Sequence, residues 1–208
     1  MFENGFPIEL GAELHRVLEN ISKTTYTNCF SGTMDTANNE QYELLDGTVI
    51  DFPYRIYFID DDSLFSRLTT PNERLIYHCI FTRSCDGYVR EKHLRAIMTE
   101  NYPEWCMPYI LKLSSEYVVE ILEVIYEFMY AKDNALFQVF CQNNPYLFRY
   151  YHSRMISYWN EFYRDRCYRY HNYVGYKLYK ECFGFRRSNE KIGENYMMCY
   201  RTLGKLHC

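Results

Sequence analysis

From residue 70 onward the chain repeats one pattern: a helix start, apolar residues at helical spacing, a break of a few residues, and another helix start. Thr70-Pro71-Asn72-Glu73 places a hydroxyl at the N-cap, proline at the first helical position and glutamate at the third, the signature of a capping box. Leu75, Ile76, Cys79 and Ile80 follow on one face. Asp86 is placed to cap the next helix, with Val89, His93, Ile97 and Met98 sharing a face. The short connection predicts an antiparallel hairpin. A second pair reads as 104–114, with Trp105, Ile110 and Leu111, and 118–129, with Val118, Leu122, Ile125, Phe128 and Met129. A third runs from Asp133 through Leu136, Phe137 and Phe140 to Asn143. Asn144-Pro145 then opens a long helix carrying Leu147, Tyr151, Met155, Tyr158 and Phe162. Asn172 is expected to cap one more, through Val174, Leu178 and Cys182, with Gly184 at its end.

No helix pair can bury both of its faces alone, so three or more must stack and leave an elongated surface. The expected fold is mainly α: stacked antiparallel helical hairpins, a short α-solenoid over 64–184. Residues 1–63 should hold a helix over 8–22, a loose linker over 23–41 and a small extended segment. Asp46-Gly47 marks a turn, and Tyr54, Ile56 and Phe58 alternate with Arg55 and Tyr57 as a strand candidate. Residues 185–208 read as a basic tail.

Charge divides the chain. Residues 1–148 carry 11 Lys+Arg against 22 Asp+Glu, whereas residues 149–208 carry 12 against 5. Tyrosine follows the reversal, because the stretch from Arg149 to Arg187 interleaves the two residue types. One reading puts the rings in the core and the arginines in ion pairs with the acidic front part. Another makes Arg154, Tyr158, Trp159, Arg164, Arg166, Arg169, Arg186 and Arg187 a binding surface. Guanidinium groups and rings would hold RNA or single-stranded DNA there, or form a protein hot spot. An acidic pI near 5.9 weighs against a dedicated nucleic-acid protein.

Aligning Asp86-Gly87-Tyr88-Val89-Arg90 with Glu116-Tyr117-Val118-Val119-Glu120 gives a period of 30 residues. On Asp86, Val89 and Arg90, followed by Leu94 and Ala96-Ile97, residues 70–130 resemble HEAT and armadillo-type repeats. That resemblance implies that Asp86 and Arg90 tie neighbouring repeats together and that the chain binds a protein as a scaffold. In the second copy Glu120 stands where the repeat has arginine. Taken whole, the chain resembles uncharacterised bacterial proteins, a likeness that implies no activity.

Motifs with a mechanism are not found: no phosphate loop, no dinucleotide fingerprint, no nucleophile elbow and no His-Glu-x-x-His pair. The nine cysteines form no C-x-x-C pair, and Cys79 and Cys141 sit in apolar runs as small buried hydrophobes. His78, Cys79, Cys85 and His93 match no zinc module, and Asp60-Asp61-Asp62 reads as a solvated turn. No metal, cofactor or catalytic residue is expected. No apolar run approaches the roughly 20 residues of a membrane span, and Met1-Phe2-Glu3 does not begin a secretory signal. The chain is therefore expected to be cytoplasmic, with no membrane partner.

Overall fold

The computed structural model describes residues 2–21, 40–98 and 102–186. A 3₁₀ turn at Ile8–Leu10 leads into α1 (Gly11–Asn20), and two short strands, β1 (Glu40–Glu43) and β2 (Val49–Phe52), form an antiparallel hairpin. Then come α2 (Asp62–Phe65), α3 (Pro71–Phe81), α4 (Gly87–Met98), α5 (Met107–Leu113), α6 (Val119–Met129), α7 (Ala135–Asn143), α8 (Pro145–Tyr158) and α9 (Val174–Lys177). α8 continues as a π-helical turn over Trp159–Tyr163, and α9 as another over Leu178–Cys182. The fold is mainly helical, as the periodicity requires.

The local signals act as their chemistry demands. Thr70 Oγ1 accepts from the Glu73 amide at 3.1 Å, and Glu73 Oε2 accepts from the Thr70 amide at 3.1 Å. The other Glu73 oxygen takes Arg16 Nε at 2.6 Å, so this cap also docks α1 on α3. Asp86 Oδ1 accepts from the Tyr88 amide at 2.8 Å and starts α4. Gly184, at φ +70°, turns the chain after the last π turn. α3 packs on α4 as the expected hairpin, α4 lies on α6, and α7 meets α8.

The β segment differs from its expectation. The Asp46-Gly47 turn is present, with Gly47 at φ +85°, but it joins β1 to β2 in the register Tyr42↔Ile50. Tyr54–Phe58 is not a strand of that sheet. Ile56 and Phe58 are buried as alternation predicts, yet Pro53 lacks an amide to carry the ladder onward, and the segment makes isolated bridges instead, Ile56 pairing with Ser84.

α5 lies at the centre, with every residue buried, so it is apolar all round except for Lys112. Tyr109 of α5 stacks on Phe6 at 5.4 Å and on Phe52 at 4.1 Å, and Phe52 stacks on Tyr42 at 4.9 Å. The first 63 residues thus share one apolar core with the helices, continuous from Phe2 to Phe183. Most of the aromatic richness is this packing.

Charged groups are also interior. Glu116, ahead of α6, pairs with Arg55 Nη2 at 2.5 Å, Arg83 Nη2 at 3.6 Å and Arg90 Nη2 at 3.7 Å. Arg83, Arg90 and Glu116 are all 3 % exposed or less. Burial alone would raise the Glu116 carboxyl, but the guanidinium groups hold it down at about 2. Removing that carboxylate strands three cations. Glu116→Ala should therefore cost about 3 to 5 kcal/mol in urea unfolding.

Acid should act in the same direction. The Arg16 hydrogen bond and the cap amides hold Glu73 down at about 2, and burial with the neighbouring His93 pushes His78 down to about 4. Each group binds fewer protons folded than unfolded, where the values are near 4.5 and 6.5. Stability is therefore expected to be full above pH 6.5 and to fall steadily between pH 6.5 and 2, measured by denaturant midpoints at stepped pH.

Candidate recognition site on the long helix

α8 sorts its side chains sharply. Leu147, Phe148, Tyr151, His152 and Met155 point inward. Tyr146, Tyr150, Arg154, Tyr158 and Phe162 follow one another at i+4 along the outer side. Tyr146 is 79 % exposed, Tyr150 42 % and Phe162 56 %, and Tyr117, at the α5–α6 junction, adds another ring at 49 %. Tyr146 and Tyr150 lie nearly parallel at 6.5 Å, Tyr158 and Phe162 stack at 6.1 Å, and Tyr117 meets Tyr158 edge-on at 6.2 Å. The π turn closes i→i+5 bonds, which keeps Phe162 beneath Tyr158 instead of letting it rotate towards the core.

Arg154 sits in the middle of this row. Its Nη2 donates to the Tyr158 hydroxyl at 3.0 Å and the Tyr54 hydroxyl at 3.2 Å, and its guanidinium lies 5.7 Å from the rings of both Tyr150 and Tyr158. No carboxylate pairs with it among the described residues. The rings hold the cation, and the cation spaces the rings.

Of the residues singled out in the sequence, Arg154 and Tyr158 come together here. Trp159 does not join them. It is half-buried, donating Nε1 to the Cys167 carbonyl at 2.9 Å and meeting Tyr170 at 4.9 Å, so it packs the turn after α8. Arg164, exposed, bonds Asn160 at 3.0 Å and lies over Tyr168, while Arg166, Arg169 and Arg186 are exposed and make no ion pair among the described residues. Arg187 lies outside the described residues, with most of the 185–208 tail and the 23–41 linker. The ion pairs between distant segments use Arg16, Arg55, Arg83, Arg90, Lys92 and Lys112 instead, and among the described residues no arginine after 148 pairs with a carboxylate of the acidic front part. Of the apolar period Leu147, Tyr151, Met155, Tyr158 and Phe162, the first three are buried, Tyr158 is half-buried and Phe162 is exposed.

Asp86 and Arg90 keep distinct duties. Asp86 caps α4, and buried Arg90 donates Nη1 to the carbonyls of Ser84 and Cys85 at 2.9 and 3.0 Å before reaching Glu116. Val89 packs half-buried against the core.

Asp60 contradicts its sequence reading. Asp60 is not solvated: its Oδ2 takes Lys92 Nζ at 2.7 Å and lies 3.1 Å from His93 Nε2, and its Oδ1 takes the Tyr77 hydroxyl at 3.0 Å. Asp61 instead caps α2 through the Ser63 amide. His78 and His93 share a hydrogen bond between Nδ1 atoms at 2.8 Å, across the α3–α4 hairpin. No set of three or more His, Cys, Asp or Glu suited to a metal ion occurs among the described residues, and no helix there is long and apolar enough to cross a membrane.

If the outer row serves recognition, folding should not need it. Tyr146→Ser and Phe162→Ser should each change stability by no more than about 0.5 kcal/mol. Tyr151→Phe, on the inner face, loses the hydroxyl bonded to Tyr42 and Glu40 and should cost about 1 to 3 kcal/mol. Urea midpoints of the three variants read the contrast. No protein-family model matches the chain, and neither a curated protein nor a solved structure shows significant similarity to it.

Proposed function

We propose that the protein is a non-catalytic recognition module of helical-repeat type that binds a protein partner on the outer face of α8. The observation that carries this reading is the outer row of α8, in which exposed Tyr146, Tyr150 and Phe162 flank half-buried Arg154 and Tyr158, widened by exposed Tyr117. Tyrosine and arginine dominate interface hot spots because each covers a large area and offers a polar tip at modest entropy cost. A row of uncovered rings interrupted by a guanidinium suits a segment that inserts apolar side chains between the rings. The repeat reading draws support from the Arg90–Glu116 contact, which joins two positions on the 30-residue period. The non-catalytic reading draws support from the Asp60–His93–His78 set, in which Lys92 and the Tyr77 hydroxyl hold the Asp60 carboxylate and the two histidines bond each other through Nδ1.

A second reading, RNA or single-stranded DNA on the same face, is favoured by the lack of any carboxylate within the row and by base-stacking on rings. Glu120, beside Tyr163 at the end of the row, counts against it.

One experiment separates the two. A photoreactive phenylalanine analogue replacing Tyr150 should yield a discrete protein adduct in a lysate of the native host. The adduct should vanish when Tyr158→Ala and Phe162→Ala are added, and should not form with the analogue at Tyr88, which is 86 % exposed on α4. An adduct indifferent to the double substitution overturns the reading, and a nuclease-sensitive adduct replaces it with the second.

A further inference from the structure

The interior beneath Arg154 carries more positive charge than its own carboxylates balance. Arg55, Arg83, Arg90, Lys112 and Arg154 converge there, against Glu116 and Glu40 among the described residues. Arg83 and Lys112 are no more than 1 % exposed. Cations taken from water need partners of opposite sign and matching hydrogen bonds. Here several donors have none: Arg83 Nε, Arg90 Nε and Arg90 Nη2 are buried without a hydrogen bond, the last too far from Glu116 to make one. Burial and the nearby Arg83 and Arg154 push Lys112 down to about 8 despite its bond to Glu40, and burial with Arg55 lowers Arg83.

Tyr54 occupies the space these cations face. Its ring lies 4.8 Å from Lys112 Nζ, 4.8 Å from the Arg55 guanidinium and 5.9 Å from that of Arg154, and its carbonyl accepts from Arg83 Nη2 at 2.8 Å. The ring is half-buried and follows Pro53 in a segment outside the sheet. Rotation about its side-chain bonds would give up the hydroxyl bond from Arg154 and move the ring off Arg55, Lys112 and Arg154, while the Arg83 bond, which is to the backbone, stays in place. A π face is a weak substitute for a negative charge. Guanidinium forks and a lysine point charge are the groups that hold a tetrahedral oxyanion.

We propose that Arg55, Lys112 and Arg154, backed by Arg83 and Arg90, form a binding site for a phosphate group, with the Tyr54 ring as its displaceable cover. The site does not depend on how a macromolecular partner docks on α8. Free inorganic phosphate and an aryl phosphate monoester share the recognised chemistry, and phenyl phosphate tests whether a ring attached to the phosphate also finds Tyr150 or Tyr158.

Equilibrium dialysis of the full chain with radiolabelled inorganic phosphate, at ionic strength fixed by chloride, should give saturable binding of one phosphate per chain. Arg154→Gln, at a half-exposed position that leaves the core intact, should weaken it about tenfold or more, whereas Arg164→Gln should not change it. Tyr54→Ala should tighten it, since the competing ring is gone. Phosphate should also raise the unfolding midpoint of the native chain with the concentration dependence of specific binding, and not that of Arg154→Gln. Tighter phenyl phosphate than phosphate would assign the site to an aryl monoester, and equal affinity to the phosphoryl group alone. Binding that does not saturate, or that is the same in Arg154→Gln, or weaker in Tyr54→Ala, would overturn the proposal.

Discussion

Glu116 is the group on which the remaining arrangement hangs. It precedes α6, yet its carboxylate collects guanidinium groups from the segment after β2, from the end of α3 and from α4. The segment after β2 and the α3–α4 hairpin are thereby fixed to the start of α6 at one point. A buried charge is costly unless paired, so the site tolerates little displacement of any partner. Lys112 repeats the logic on the other side of α5, where Glu40 binds it and the Tyr42 and Tyr151 hydroxyls complete the carboxylate's bonds. Through that second centre the β hairpin is tied to α5 and to α8.

The aromatic residues follow from the same constraint. Rings pack around α5 and leave their hydroxyls for the interior charges, as Tyr42 and Tyr151 do, which apolar residues of equal size could not. On the outer side of α8 the balance differs, because Tyr146, Tyr150 and Phe162 are exposed, with Tyr146 against Tyr150, Tyr150 against Arg154, and Phe162 against Tyr158 and Tyr117. Tyr54 joins the two regions, with its hydroxyl on Arg154 and its ring over Lys112. Any event on the outer face is thus one side chain from the buried cations.

Much of the fold is legible in short stretches of sequence. Thr70 with Glu73, Asp86, Gly184 and the Asp46-Gly47 turn each act over a few residues through backbone donors or a positive φ, so their meaning does not depend on distant contacts. β1 escaped notice because Glu40-Gln41-Tyr42-Glu43 buries a single residue and shows no apolar alternation. Asp60 was read as solvated from its acidic neighbours, yet Lys92 and His93 reach it from 30 or more residues away. The candidate site was half visible: Arg154 and Tyr158 lie on one helical row, while Tyr117 and Tyr54 arrive from other elements and leave no trace in that period.

The sequence by itself determined where helices begin and end, that they are amphipathic, and that tyrosine and arginine gather in the last third. Those properties depend on capping hydrogen bonds and on periodicity, which are local. Only the tertiary structure decided which side of α8 faces out, that the arginines balancing Glu116 come from the acidic half of the chain, and that cations outnumber carboxylates beneath Tyr54. Burial and charge pairing are set by residues far apart along the chain, and a net charge counted along the sequence does not report the charge enclosed in the interior.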